Sequence, residues 1–348
     1  MAATRASEGS GQPLRLSVLD QSPIPEGSTG ADALANTLDL ARLCDSLGYH
    51  RYWVAEHHGS AMLAGASPEV LVGPIAAATS SIRVGSGGVM LPHYSPWKVA
   101  ESFSVLSGLF GDRIDLGLGR GADADAVHTH ALQRDRRTPA PEDYADQLAE
   151  VVAHLDGGEP PDARFKDLGP LPGRPSRPQP WLLGTSLGSA TWAARLGIAY
   201  AFGDFINPEG SEIVRHYRAL FAPSEHLPEP QVAVCVSAIC AESDEEAQRL
   251  AASGRMCAAL QRGVTSVPVP PVEKALRFLE DQEEPPAGAP RRRAVRGSPE
   301  TVERGLREVA EQYGAEELMV VTITHSHAAR RRSYELIAEA FGLAGAGG

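Results

Sequence analysis

The run RIDLGLGRG, Arg113 to Gly121, can be taken in two ways, and the choice between them sets the architecture. Gly117-Leu118-Gly119-Arg120-Gly121-Ala122 spells G-x-G-x-x-A straight after an apolar alternation, the short form of a dinucleotide-binding fingerprint. Such a site needs an apolar helix directly after the turn and an acidic residue on the next strand roughly 20 residues on. Residues 122 to 140 are instead polar and rich in His, Arg and Asp. The run therefore reads as a strand, with Ile114, Leu116 and Leu118 on one face and Asp115, Gly117 and Gly119 on the other. It leaves Arg120 standing at the strand's C-terminal end.

Working outward, strand and helix alternate along the chain. Leu14–Asp20 is a period-2 strand, followed by a helix with apolar positions Leu34, Leu38, Ala41, Cys44 and Leu47, closed by Gly48. Arg51–Glu56 and Ile82–Leu91 are the second and third strands. After the third, Ser95 caps a helix whose first residue is Pro96 and whose end is Gly111. Beyond the fourth strand come a polar loop and a helix over Tyr144–Leu155. Gln179–Gly184, Ala199–Phe205, Gln231–Ala241 and Glu317–Thr324 then supply strands five to eight, the last two separated by an irregular insertion. Eight strands, each followed by a helix and with no linker cutting the chain, predict an α/β fold, a (β/α)8 TIM barrel, over a doubly wound sheet. The expected layout is a disordered tail over residues 1–13 and a single barrel domain over 14–343. Insertions are expected at about 122–142, 156–178 and 262–297, after strands four and seven.

Composition narrows the function. The length of 348 residues, 43% hydrophobic and 22% charged, suits one large globular domain. A net charge of −12 argues against a nucleic-acid or anionic-membrane binder, so Arg291–Arg293 reads as a solvated loop charge. The four cysteines form no metal-ligand spacing and read as buried thiols of a reducing compartment. No signal-peptide core or apolar run of about 18 residues is present, which predicts a soluble, cytoplasmic protein.

In a barrel the chemistry sits at the C-terminal strand ends. There the sequence places Asp20-Gln21-Ser22, Glu56-His57-His58, Gly87-Gly88, Gly119-Arg120-Gly121, Gly184-Thr185-Ser186 with Ser189 beyond, and His325-Ser326-His327. A metal hydrolase would use the histidines, but neighbours on a strand point to opposite faces and the first strand lacks H-x-H, so no metal is expected. Ser186 and Ser189, where a strand turns into a helix, suit either plain capping or an anion at the helix N-terminus. Arg120 on the neighbouring strand tips the balance to a phosphate. Gly87-Gly88 would let a flat ring lie against the backbone, or serve as a turn. His57 reads as a structural histidine or a proton donor beside such a ring, with Glu56 as its catalytic companion.

Five segments in this order, WVAEHH (Trp53–His58), IRVGSGGVMLPHYSPWKVAESFSVL (Ile82–Leu106), RIDLGLGRG, GTSLGSATWAARLG (Gly184–Gly197) and GSPETV (Gly297–Val302), resemble the luciferase-like flavin-dependent monooxygenases. With LSVLDQSPI at Leu16–Ile24, the resemblance is to a subgroup that includes tailoring oxygenases of bacterial polyketide pathways. It implies that His57 lies near the reactive part of the flavin and that Arg120, with Thr185, Ser186 and Ser189, holds the FMN phosphate. It also implies a cis peptide at Gly87-Gly88 beneath the ring. Gly119 departs from bacterial luciferases, which carry a cysteine there, and this takes the chain away from light emission. The implied partners are reduced FMN from a separate NAD(P)H:flavin reductase, O2, a small-molecule substrate and a second copy in a homodimer. A deazaflavin-dependent dehydrogenase and a non-catalytic flavin-binding protein are the alternatives within the same resemblance.

Overall fold

The computed structural model describes residues 14–121, 126–133, 142–261, 266–282 and 293–344. In chain order the first half forms β1 (Arg15–Asp20), α1 (Gly30–Ser46), β2 (Arg51–Val54), α2 (Pro68–Ala78), β3 (Arg83–Ser86), β4 (Val89–Met90), α3 (Pro96–Phe110) and β5 (Ile114–Gly119). There follow α4 (Ala126–Leu132), α5 (Tyr144–Asp156), β6 (Gln179–Gly184), α6 (Leu187–Arg195), β7 (Ala199–Gly203), α7 (Ser211–Leu220) and β8 (Val232–Cys240). The chain ends with α8 (Asp244–Gln261), α9 (Val272–Glu280), β9 (Ala294–Gly297), α10 (Pro299–Tyr313), β10 (Glu317–Val321) and α11 (His327–Phe341). Strands β1, β2, β3, β5, β6, β7, β8 and β10 pair in that order, all in parallel, and β10 pairs with both β8 and β1. The result is a closed eight-stranded TIM barrel, as the alternation predicts.

Period-2 alternation sorts the strand residues between two cores. Leu16, Val18, Ile114, Leu116, Leu118 and Leu182 face outward into the layer under the helices. Leu19, Trp53, Trp181, Cys235 and Met319 fill the barrel interior. Helix starts follow local chemistry: Thr29 and Asp32 cap α1 reciprocally, and Ser95-Pro96 and Ser298-Pro299 open α3 and α10.

The N-terminal end of the barrel is closed by charge. Arg51, buried inside, donates from Nε to Glu317 at 2.9 Å and from Nη1 to Asp115 at 2.8 Å, with its guanidinium 4.7 Å from the Trp181 ring centre. Arg83 also holds Asp115 (Nε to Oδ1 3.0 Å), as does Trp53 Nε1 at 2.9 Å. Ser17 donates to Glu317 at 2.6 Å. A second buried pair clasps the chain's two ends: Arg330 of α11 meets Asp20 of β1 at 2.5 Å, where Tyr52 also donates. Burial pushes the Asp115 and Asp20 carboxyls up, but the guanidiniums of Arg51 and Arg83, and of Arg330, outweigh it and hold both below the usual carboxylate range.

Several expectations need correction. The third strand is not continuous over Ile82–Leu91: it stops at Ser86, breaks at a cis Gly87–Gly88 peptide, and resumes as β4, which pairs with β5 at Val89–Leu118. In α1 the buried stripe is Ala33, Thr37, Leu40, Ala41 and Cys44, which leaves Leu34 and Leu38 only half buried. The insertion before strand eight is partly regular, holding α9 and β9, and β9 extends the sheet along the upper half of β8. Residues 126–132, expected in a loop, are helical. Arg293 is no solvated charge, for it donates to Pro208 O at 2.9 Å and lies 3.7 Å from Asp204. The tail at 1–13, Arg291 and Arg292 fall outside the described residues. The four cysteines are buried and free, as expected, and burial drives their thiols upward, Cys235 and Cys240 to about 12.

Arg51→Met leaves Asp115 and Glu317 buried without their shared counter-ion, and should cost about 3–5 kcal/mol in a urea unfolding experiment. Because folding depresses the Asp20 and Asp115 pKa values, the stability they contribute is full above the unfolded value of about 3.9 and is lost as pH falls through the folded ones. The urea midpoint should therefore hold between about pH 7 and 5 and fall below about pH 4.

Candidate active site

The strand ends singled out from the sequence are neighbours in space, because β2, β3, β5 and β6 are consecutive in the barrel. They place Glu56-His57, Gly87-Gly88, Arg120 and Thr185–Ser189 along one arc of the rim.

The floor of this arc is built by glycines. A Cβ on Gly117 would stand 2.1 Å from Ser86 O, and one on Gly88 would stand 2.8 Å from Gly117 C and O. A Cβ on Gly87 would meet Leu19 Cδ1 at 2.5 Å. Strands β3 and β5 therefore touch backbone to backbone, and the Gly87-Gly88 pair is only half buried, open toward the mouth.

Glu56 ties the arc together. Its Oε1 accepts from Tyr94 OH at 2.7 Å and lies 2.7 Å from His58 Nε2, while Oε2 accepts from Met90 N at 2.9 Å. Three segments, β2's end, β4 and the turn at Tyr94, hang on one buried carboxylate. Glu56 is thus a group that positions its neighbours. His58 in turn lies 6.5 Å, edge to face, from His93. Burial and then His58 lower the His93 pKa against the pull of Glu56, and burial and Glu56 raise that of Glu69. His57 is half buried beside this network, and its backbone N–H donates to Gly65 O at 2.7 Å.

On the other flank, β5 and β6 are in register at Leu118–Leu182, so Arg120 stands level with Gly184. Arg120 is exposed and makes no hydrogen bond or ion pair with any described residue. Ser186 and Ser189 form a complete capping box at the head of α6. The buried Ser189 hydroxyl donates to Ser186 O at 2.8 Å and lies 3.0 Å from Tyr200 OH, so it is engaged within the turn. Ser186 is exposed, and Thr185 is half buried with its carbonyl accepting from Asn207. Leu187 and Gly188 lie in the first turn of α6, where N–H groups have no acceptor within the helix.

Sequence reasoning missed Tyr94, His58 and Tyr200 as organising groups. His58 was open to discovery, since residues i and i+2 of an extended chain share a face and so bring Glu56 and His58 together. Among the described residues, no three His, Cys, Asp or Glu side chains gather as a metal site, and no helix is long and apolar enough to cross a membrane.

Glu56→Ala strips the acceptor from Tyr94, Met90 and His58 at once. It should lower unfolding free energy by about 2–4 kcal/mol, against about 1 kcal/mol for Tyr94→Phe, both measurable by denaturant titration.

The family model described as luciferase-like monooxygenase matches residues 14–317. An N-acetyl-S-alkylcysteine monooxygenase of Bacillus subtilis is 37% identical over 331 residues, covering 94% of this chain and 98% of that protein. The crystal structure of apo-MsnO8 superposes with a TM-score of 0.88 at 41% identity, covering 96% of this chain and 99% of the other. The FMN complex of the oxygenating constituent of 3,6-diketocamphane monooxygenase, a type II Baeyer–Villiger enzyme of Pseudomonas putida, shares the fold at 19% identity, TM-score 0.68, with coverage of 95% and 98%. With its barrel, its glycine floor and its arc of rim residues, this chain belongs to the luciferase-like monooxygenase family.

Proposed function

We propose that this protein is an FMN-dependent monooxygenase that takes reduced FMN from a separate NAD(P)H:flavin reductase and transfers one atom of O2 to a small organic substrate. The observation that carries the reading is Arg120, without a partner among the described residues, on the strand beside the one that leads through Gly184 into the head of α6, and next to a glycine floor. A guanidinium and a helix N-terminus together suit a phosphate dianion. The half-buried Gly87-Gly88 backbone suits a flat ring, because two successive glycines bring no side chain of their own between backbone and ring. The residues present therefore fit FMN. The named activity of the Bacillus relative, a small-molecule monooxygenase, and the FMN carried by the Pseudomonas neighbour support the same reading.

In this assignment Arg120, Thr185, Ser186 and the α6 head hold the phosphate. Ser189 and Tyr200 keep that turn in shape. His57 handles a proton at the ring's edge, and Glu56 fixes the segment that carries His57. Reduced FMN, when bound, supplies the electrons that activate O2 for hydroxylation, epoxidation or Baeyer–Villiger insertion. Met62, Leu63, Cys257 and Val269 form a buried apolar cluster with Ile323, which follows β10 at the same end of the barrel.

Titrating the purified protein with FMN, reduced FMN and the deazaflavin F420 tests the cofactor. Tightest binding of reduced FMN supports the reading, and preference for F420 overturns it in favour of a dehydrogenase. Arg120→Ala should weaken FMN at least tenfold and leave riboflavin binding unchanged, by fluorescence quenching. His57→Ala should keep FMN affinity within about twofold but divert O2 to hydrogen peroxide, seen as a lower ratio of product to reduced flavin consumed.

A further inference from the structure

Tyr144 is the first residue of α5 and is nine-tenths buried, yet its hydroxyl has no hydrogen-bond partner among the described residues. A buried, unsatisfied hydroxyl destabilises a fold, and a phenylalanine would fill the same space without that penalty. Its surroundings say what the hydroxyl is for. The ring packs edge to face on Trp192 of α6, centres 5.5 Å apart. Trp192 in turn runs back along the first turn of α6, its Cη2 standing 3.9 Å from where a Cβ on Gly188 would be. Tyr144 therefore lies beside the same helix head that offers free N–H groups. Among the described residues, the charged side chain that acts on its hydroxyl is Arg120, which has no hydrogen-bond or ion-pair partner among them. An exposed cation, a helix N-terminus and an orphaned buried hydroxyl thus converge from β5, α6 and α5.

We infer that the Tyr144 hydroxyl donates a hydrogen bond to the phosphate monoester of the bound flavin, sharing that group with Arg120 and the first turn of α6. The inference rests on the flavin reading given above. It assigns α5 a binding role, and it makes Tyr144 a residue that separates a phosphorylated flavin from an unphosphorylated one.

The test compares FMN and riboflavin binding to flavin-free wild type and to Tyr144→Phe, by fluorescence quenching, together with the melting temperature of each protein without ligand. The ring and its contact with Trp192 survive in the variant. FMN affinity should fall about tenfold and riboflavin affinity should stay unchanged, as for loss of one hydrogen bond to a charged group. The unliganded variant should melt no lower than wild type, since it sheds an unsatisfied hydroxyl. Equal FMN affinity in the two proteins overturns the inference. So does a parallel fall for both ligands with a lowered melting temperature, which would mark Tyr144 as packing alone. A wild type that does not distinguish FMN from riboflavin overturns the phosphate reading itself, and this inference with it.

Discussion

Everything above the barrel floor depends on the buried guanidinium of Arg51. A closed parallel barrel of eight strands must fill its own centre, and here the lowest layer is filled with opposite charges that cancel. Arg51 joins Glu317 of the last strand to Asp115 of the middle one, with Arg83 taking the other oxygen of Asp115 and Ser17 sharing Glu317 Oε1 with Arg51. Such a layer is weak evidence for stability in itself, since desolvation consumes much of the attraction. Its effect is on register. A slip of one residue in β1, β2, β5 or β10 would turn a charge to the other face, among the apolar side chains under the helices. The Trp53–Trp181 pair, 5.2 Å apart, sits on this layer and hands a fixed level to the strands above.

From that level the rim follows. With β3 and β5 held in register, Gly85, Gly88 and Gly117 let the two strands approach closer than side chains permit. Glu56 then collects the segments that leave β2 and β4, and the α6 head collects those that leave β5 and β6. The two flanks are built differently. One is a buried carboxylate whose two oxygens are both taken by neighbours, and the other keeps the Arg120 guanidinium without a partner among the described residues. That asymmetry is what separates a supporting network from a binding one, and it is visible only when each polar atom's partner is counted.

Much of this was legible in the sequence. The eight strands, the caps Ser95-Pro96 and Ser298-Pro299, the inward face of Asp115 and Gly117, and the gathering of Glu56, Gly87-Gly88, Arg120 and Ser186 on one rim follow from local periodicity and the rule about strand ends. The glycine pair at Gly87-Gly88 already suggested a turn, whereas the cis peptide there entered only through the family resemblance. The helices at Ala126–Leu132 and Val272–Glu280 were lost because polar composition reads as loop. Glu56's partners were hidden because Met90 and Tyr94 lie 34 and 38 residues away, beyond any periodic signal. Tyr144 looks like any core aromatic until its hydroxyl is found buried without a partner.

The clasp between the ends of the chain has a consequence for how the molecule is made. Ser17 and Glu317 lie 300 residues apart in sequence, and Asp20 and Arg330 lie 310 apart, yet each pair is in direct contact. β1 therefore spends most of the chain's synthesis with one edge open and an aspartate whose counter-ion does not yet exist. Closure waits for β10 and α11 to arrive, so the ring is completed only after nearly the whole chain is available. Contacts of such separation carry the largest loop-closure entropy and fold slowly. Until then the growing barrel presents an unpaired parallel edge, the surface most open to mispairing with another nascent chain.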